Sequence, residues 1–79
     1  MYTTARCPYC LMAEQLLVRK GVTSICKMRV DLEPDKFQEM IAKTGRRTVP
    51  QIFIGGFHIG GFQELAALDR EGRLDELLQ

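Results

Sequence analysis

Two cysteines one helical turn apart, in the run Cys7-Pro8-Tyr9-Cys10, stand near the start of the chain and directly before an amphipathic stretch. With Cys7 at the N-terminus of the helix that follows, the unpaired amide N–H groups of the first turn point toward its sulfur. Their partial positive charge favours thiolate over thiol, and the thiolate is the reactive form. Cys10 then lies a turn further on, near enough to attack a mixed disulfide formed at Cys7. Thiol–disulfide exchange requires this arrangement.

The 79 residues suffice for a single domain, 1–79, and no more. A domain of this size buries only about 60% of the surface its unfolded chain exposes, so the expected core is modest. Net charge is +1 with acidic and basic residues interspersed, which gives no reason to expect nucleic acid or a lipid surface as partner. No apolar run approaches the roughly 20 residues of a membrane helix, and no secretory leader pattern opens the chain. The sequence reads as a cytoplasmic protein. Its three cysteines are an odd number, against a fully paired disulfide framework. In a reducing cytosol two closely spaced cysteines point to catalysis or metal rather than to a structural bridge.

Periodicity gives the order strand, helix, strand, helix, strand, strand, helix. Met1 to Thr3 is the end of a short strand, and Pro8 to Lys20 a helix burying Ala13, Leu16 and Leu17, ended at Gly21. Ser24 to Val30 alternates, with Cys26, Met28 and Val30 on one side and Lys27 and Arg29 on the other, as in a half-buried edge strand. Pro34 opens a second helix closed by Gly45. Gln51 to Ile54 and Phe57 to Ile59 flank Gly55-Gly56 as a hairpin. The last helix runs from about Gly61 to Glu71, and Gly72 separates it from a short apolar end with Leu74, Leu77 and Leu78. A parallel first pair and an antiparallel hairpin predict an α/β fold with a mixed four-stranded sheet, β-α-β-α-β-β-α, flanked by helices.

Each motif has a plainer reading beside the functional one. A zinc site wants four ligands, and beyond Cys7 and Cys10 only Cys26 and His58 remain, unpaired and far apart in sequence, so no metal is expected. A disulfide closing so short a loop stabilises little. Pro50 in Thr48-Val49-Pro50 either merely starts a strand or stands in cis and turns the Val49 backbone outward to pair with an extended peptide. The two readings are balanced on local sequence. Gly60-Gly61-Phe62 makes a tight strand-to-helix turn, whose first amides would suit a carboxylate. Cys26 reads as a small buried hydrophobe rather than a regulatory thiol, and His58 as a hairpin residue.

Taken together and in this order, the motifs resemble the glutaredoxin family, specifically the small bacterial dithiol type. The similarity runs from Tyr2-Thr3 through Cys7-Pro8-Tyr9-Cys10 and Gly45, then Thr48 to Ile54, His58 to Gly61, and Leu65 to Asp69. The resemblance implies a thioredoxin-like fold and glutathione-dependent reduction of protein disulfides and glutathione mixed disulfides, with glutathione as co-substrate. It implies Cys7 as nucleophile and Cys10 as resolving thiol, with Tyr9 flanking the glutathione sulfur. It places Thr48 and Val49 against the glutathione backbone beside cis-Pro50, and the Gly61-Phe62-Gln63 turn under the γ-glutamyl carboxylate. Thr4 stands where many members carry lysine, so positive charge falls to Arg6, Arg46 and Arg47, with Arg47 counted in the glutathione site. Gln63 stands where an acidic or hydroxyl side chain is common.

Only Met1 precedes Tyr2 where members usually have several apolar residues. The first strand is therefore expected to be truncated and, since it lies centrally in this topology, the chain to be less stable than a version extended by four or five apolar residues. The implied partners are glutathione and glutathionylated or disulfide-containing proteins, ribonucleotide reductase among the candidates, with the chain a monomer. Two rivals stand beside this reading. One is an electron donor fed by thioredoxin reductase; the other is an iron–sulfur carrier bridging a cluster through Cys7 and two glutathiones. Thr48-Val49-Pro50 with Gly60-Gly61 favours the glutathione-using branch over the first, and Pro8 stiffens the loop against the second.

Overall fold

Proline starts both long helices, at Pro8 and at Pro34. At the first helical position its missing N–H removes a donor that has no partner within the helix, and its fixed φ is already helical. Gly45 closes the second of these helices in the left-handed region (φ 70°), donating its N–H to the Ile41 carbonyl at 2.8 Å. In the computed structural model, which describes residues 1–79, the elements are β1 (Tyr2–Thr3), α1 (Pro8–Arg19), β2 (Met28–Arg29) and α2 (Pro34–Thr44). They are followed by β3 (Ile52–Ile54), β4 (Phe57–Gly60), α3 (Phe62–Arg70) and α4 (Leu74–Leu78).

The sheet is built in two halves. β1 runs parallel to β2, with Tyr2 opposite Met28 and Thr3 opposite Arg29. β3 and β4 form an antiparallel hairpin with a register shift between Ile52 and Phe53. A single antiparallel bridge joins the halves: the Tyr2 N–H donates to Gln51 at 2.9 Å and the Gln51 N–H donates back at 3.2 Å. The resulting order, β2-β1-β3-β4, puts the short first strand at the centre, as expected.

The second strand is shorter than its alternation suggests. Its ladder with β1 ends where the Met1 amino group donates to the Cys26 carbonyl at 2.7 Å. Before that point Ile25 and Val22 turn their side chains against the core, and Cys26 is exposed. The expectation of a buried Cys26 is therefore corrected. Alternation shows which residues share a face of a strand, but Cys26 lies where the strand has already ended.

Side-chain alternation along β1 and β3 separates two layers. Met1, Ile52 and Ile59 pack with Ala13, Leu16 and Leu17 of α1, Leu65 of α3 and Leu74 of α4 in one apolar cluster. Lys20 ties the same side together, pairing with Asp69 at 2.7 Å and Asp75 at 3.3 Å. Tyr2 points the other way, its ring edge-on to Phe53 and its hydroxyl donating to Glu39 Oε2 of α2 at 2.8 Å. Only 1% of Tyr2 is exposed, and burial followed by the Glu39 carboxylate pushes its phenol up to about 12.

This hydrogen bond is the polar link between the central strand and α2. Tyr2→Phe keeps the ring and deletes the link, so the thermal midpoint is expected to fall by about 5 °C, the size of one net hydrogen bond in a domain this small. Thermal unfolding of the two proteins measures it; equal midpoints would show that the bond contributes nothing net.

Candidate active site

Cys7 is the N-cap of α1, with extended backbone (φ −133°, ψ 98°), and its Sγ accepts the Cys10 N–H at 3.1 Å. The first turn of a helix leaves amide donors without partners, so a sulfur placed there receives a hydrogen bond and sits at the positive end of the helix dipole. Cys7 and Cys10 are joined in a disulfide with their Cα atoms 5.1 Å apart, inside the normal range for such a bridge. The two are not equivalent. Cys7 is half-buried and adjoins solvent, whereas Cys10 is 4% exposed.

The loop that carries the pair is pinned from the far side. Asp31 accepts the Ala5 N–H at 3.2 Å and both ends of the Arg29 guanidinium at 2.7 Å. The Arg29 hydrogen bonds, with help from the Ala5 amide, hold the Asp31 carboxyl down to about 2. Arg6, next to Cys7, is exposed and takes part in no ion pair.

Across from Cys7 lies the segment Thr48–Pro50. The Val49–Pro50 peptide is cis, the Val49 carbonyl oxygen is 3.8 Å from Cys7 Sγ, and the Val49 N–H makes no hydrogen bond within the chain. Beside it opens a groove of about 370 Å³ lined by Tyr9, Arg46, Thr48, Val49, Pro50, Gly61, Phe62, Gln63 and Glu64. Tyr9 and Phe62 stack at 6.1 Å along its wall. Seven of the residues expected to bind glutathione thus meet in one place. Arg47 does not join them: it is exposed and outside the lining, and its neighbour Arg46 lines the groove instead. Cys7 and Cys10 line a second groove, of about 590 Å³, together with Arg6, Glu14, Lys27 and Arg29. No group of three His, Cys, Asp or Glu side chains that could hold a metal ion comes together.

Glu64 is the groove residue that sequence reasoning missed. Its Oε1 accepts the Gly61 N–H at 3.0 Å and Arg46 Nη1 at 2.6 Å. The first bond is one half of a capping box at the start of α3, a pattern visible in the sequence as an acidic residue three places after the cap. Gly60 is needed beside it for two reasons: its φ is +115°, and a Cβ there would collide with the Glu64 carboxylate. Arg46, and after it the Gly61 amide, hold the Glu64 carboxyl below the usual range.

A carboxyl that titrates lower in the folded chain than in the unfolded one stabilises the fold above its unfolded value. That contribution disappears as pH falls through the folded value. The stability difference between the wild type and Glu64→Gln should therefore be greatest above about pH 5 and shrink steadily below about pH 4.5. Thermal unfolding of both proteins from pH 7 to pH 2.5 tests it; a difference that grows on acidification would contradict the assigned sign.

The sequence matches the glutaredoxin family over residues 1–59. It is 54% identical to the glutaredoxin of Neisseria meningitidis over 78 residues, covering 99% of this chain and 92% of that protein. To glutaredoxin 3 of Escherichia coli it is 51% identical over 79 residues, covering 100% of this chain and 94% of that one. Among solved structures, the dithiolic glutaredoxin 2-C-Grx1 of Trypanosoma brucei brucei superposes with a TM-score of 0.88 at 40% identity, over 99% of this chain and 82% of the other. The buckwheat glutaredoxin–glutathione complex does so with a TM-score of 0.87 at 32% identity, over 98% and 72%. With a thiol pair at a helix N-terminus on a thioredoxin-like scaffold, and with relatives of this closeness, the chain belongs to the glutaredoxin family of glutathione-dependent thiol–disulfide oxidoreductases.

Proposed function

We propose that Cys7 is the attacking thiol and Cys10 the resolving one, and that glutathione lies in the groove between Tyr9 and the start of α3. The observation that carries the assignment is the asymmetry of the pair: Cys7 caps α1 at the surface, while Cys10 is buried one turn inside. The Cys7 thiolate attacks the glutathione sulfur of a protein–glutathione mixed disulfide. The S–S bond breaks, the target departs as a thiolate that takes up a proton, and glutathione remains on Cys7. A second glutathione thiolate attacks that adduct, releasing oxidised glutathione and restoring the Cys7 thiolate. For a protein disulfide, Cys10 displaces the target from Cys7, and two glutathiones then reduce the Cys7–Cys10 bridge. No step calls for a metal.

The groove suits the tripeptide. The free Val49 N–H and its carbonyl can pair with an extended peptide as a neighbouring strand would. The first amides of α3, at Phe62 and Gln63, can receive a carboxylate with the helix dipole behind them. Arg46, lining the groove, and Arg47, next to it and exposed, supply positive charge for the second carboxylate. Target proteins are those carrying a glutathione mixed disulfide or a dithiol-reducible disulfide, with ribonucleotide reductase one candidate. The cytoplasm, where a glutathione pool is kept reduced, is the compartment that suits a monomeric catalyst of this kind.

In an assay coupled to glutathione and glutathione reductase, Cys7→Ser should abolish reduction of both substrate types. Cys10→Ser should retain mixed-disulfide reduction and lose most protein-disulfide reduction, because only the latter needs intramolecular resolution. Equal losses in the two variants would overturn the roles. After reduction, iodoacetamide should label Cys7 ahead of Cys10. Titration with glutathione should move the amide resonances of Val49 and Gly61; shifts that bypass both would remove the groove from the reading.

A further inference from the structure

Gln51 is fully buried, and every polar atom of its side chain is matched. Nε2 donates to the Thr48 carbonyl oxygen at 3.0 Å and to Thr48 Oγ1 at 3.2 Å. A carbonyl oxygen only accepts, so the end of the amide facing it is the nitrogen and the other end is Oε1. Oε1 lies 2.9 Å from His58 Nε2. An amide oxygen also only accepts, so His58 carries a hydrogen on Nε2. The Phe53 ring packs against the imidazole, the centroids 4.9 Å apart and the planes tilted by 32°.

The far end of this relay is the peptide that enters the groove. The Thr48 carbonyl and the Val49 N–H belong to one rigid peptide unit, which is trans and therefore points them in opposite directions. With the carbonyl drawn inward to Gln51, the Val49 N–H faces away from the interior, on a residue that lines the groove and has no partner in the chain. Thr48 Oγ1, accepting from Gln51, keeps its own hydrogen free for a ligand.

We propose that His58 is a positioning residue for the glutathione site: by donating from Nε2 to Gln51 it orients the amide that holds the Thr48 carbonyl, and thereby aims the Val49 N–H into the groove. The proposal rests on the reading of Thr48-Val49-Pro50 as the glutathione platform. The part it gives the imidazole is to hold Gln51 through the Nε2 hydrogen.

Long-range proton–nitrogen correlation NMR on the labelled protein reads the tautomer directly: the Nε2–H form is expected, and the Nδ1–H form would overturn the proposal whatever the activity. His58→Phe keeps the ring against Phe53 and deletes the donor. It should raise the KM for a glutathionylated peptide about three- to tenfold, the worth of roughly one hydrogen bond, leave kcat within about twofold, and move the Val49 amide resonance. Gln51→Leu should raise KM in the same way, and adding His58→Phe to it should raise KM no further. A folded His58→Phe protein with wild-type KM and an unmoved Val49 amide would overturn the proposal, as would independent, multiplying effects of the two substitutions. Failure of the wild type to reduce glutathione mixed disulfides would instead strike the functional reading, while the tautomer and the Val49 resonance would still decide the relay.

Discussion

Two hydrogen bonds between Tyr2 and Gln51, at 2.9 and 3.2 Å, hold the halves of the sheet together, and the placement of the site follows from them. The pairing is antiparallel, so the chain leaving β1 toward Cys7 and the chain arriving at Gln51 from Thr48 lie at the same end of the sheet. No long-range search is then needed to bring Cys7 Sγ to within 3.8 Å of the Val49 carbonyl. The short central strand is therefore less a structural ladder than a clamp. It is buried on both faces, by the α1 cluster around Met1 and by the Glu39 hydrogen bond to Tyr2.

The same end of the molecule gathers the N-termini of α1 and α3, and with them two sets of unpaired amides. One set faces sulfur and the other a groove wall. Glu64 tempers the second: its carboxylate answers Arg46 and the Gly61 amide, so the groove offers both signs of charge. The larger groove, which Cys7 and Cys10 line, has a different character, with three basic side chains and Glu14 among its residues.

Much of this could be read from the chain. The cysteine spacing, the prolines that start α1 and α2, Gly45 at the end of α2 and the Thr48-Val49-Pro50 run are local signals, and each acts locally in the structure. What escaped depends on distance. Nothing in the alternation around Cys26 says that the ladder stops at the Met1 amino group. Arg46 and Arg47 are chemically identical neighbours, and only the turn after Gly45 decides which one meets Glu64. The Gln51–His58 bond spans a hairpin whose register shifts at Ile52, so the two side chains could not be paired by counting residues.

At the N-cap of α1 two demands fall on one atom. Helices are best begun by serine, threonine, aspartate or asparagine, whose oxygens accept the orphan amides well. This helix begins on sulfur, a weaker acceptor, because oxygen at that place would not exchange disulfides. The fold therefore forgoes some stability at one member of the dithiol pair, a local conflict of the kind that marks functional sites. Among single changes at Cys7, the one to serine, which takes one sulfur from the pair, is also one that gives the helix a better start.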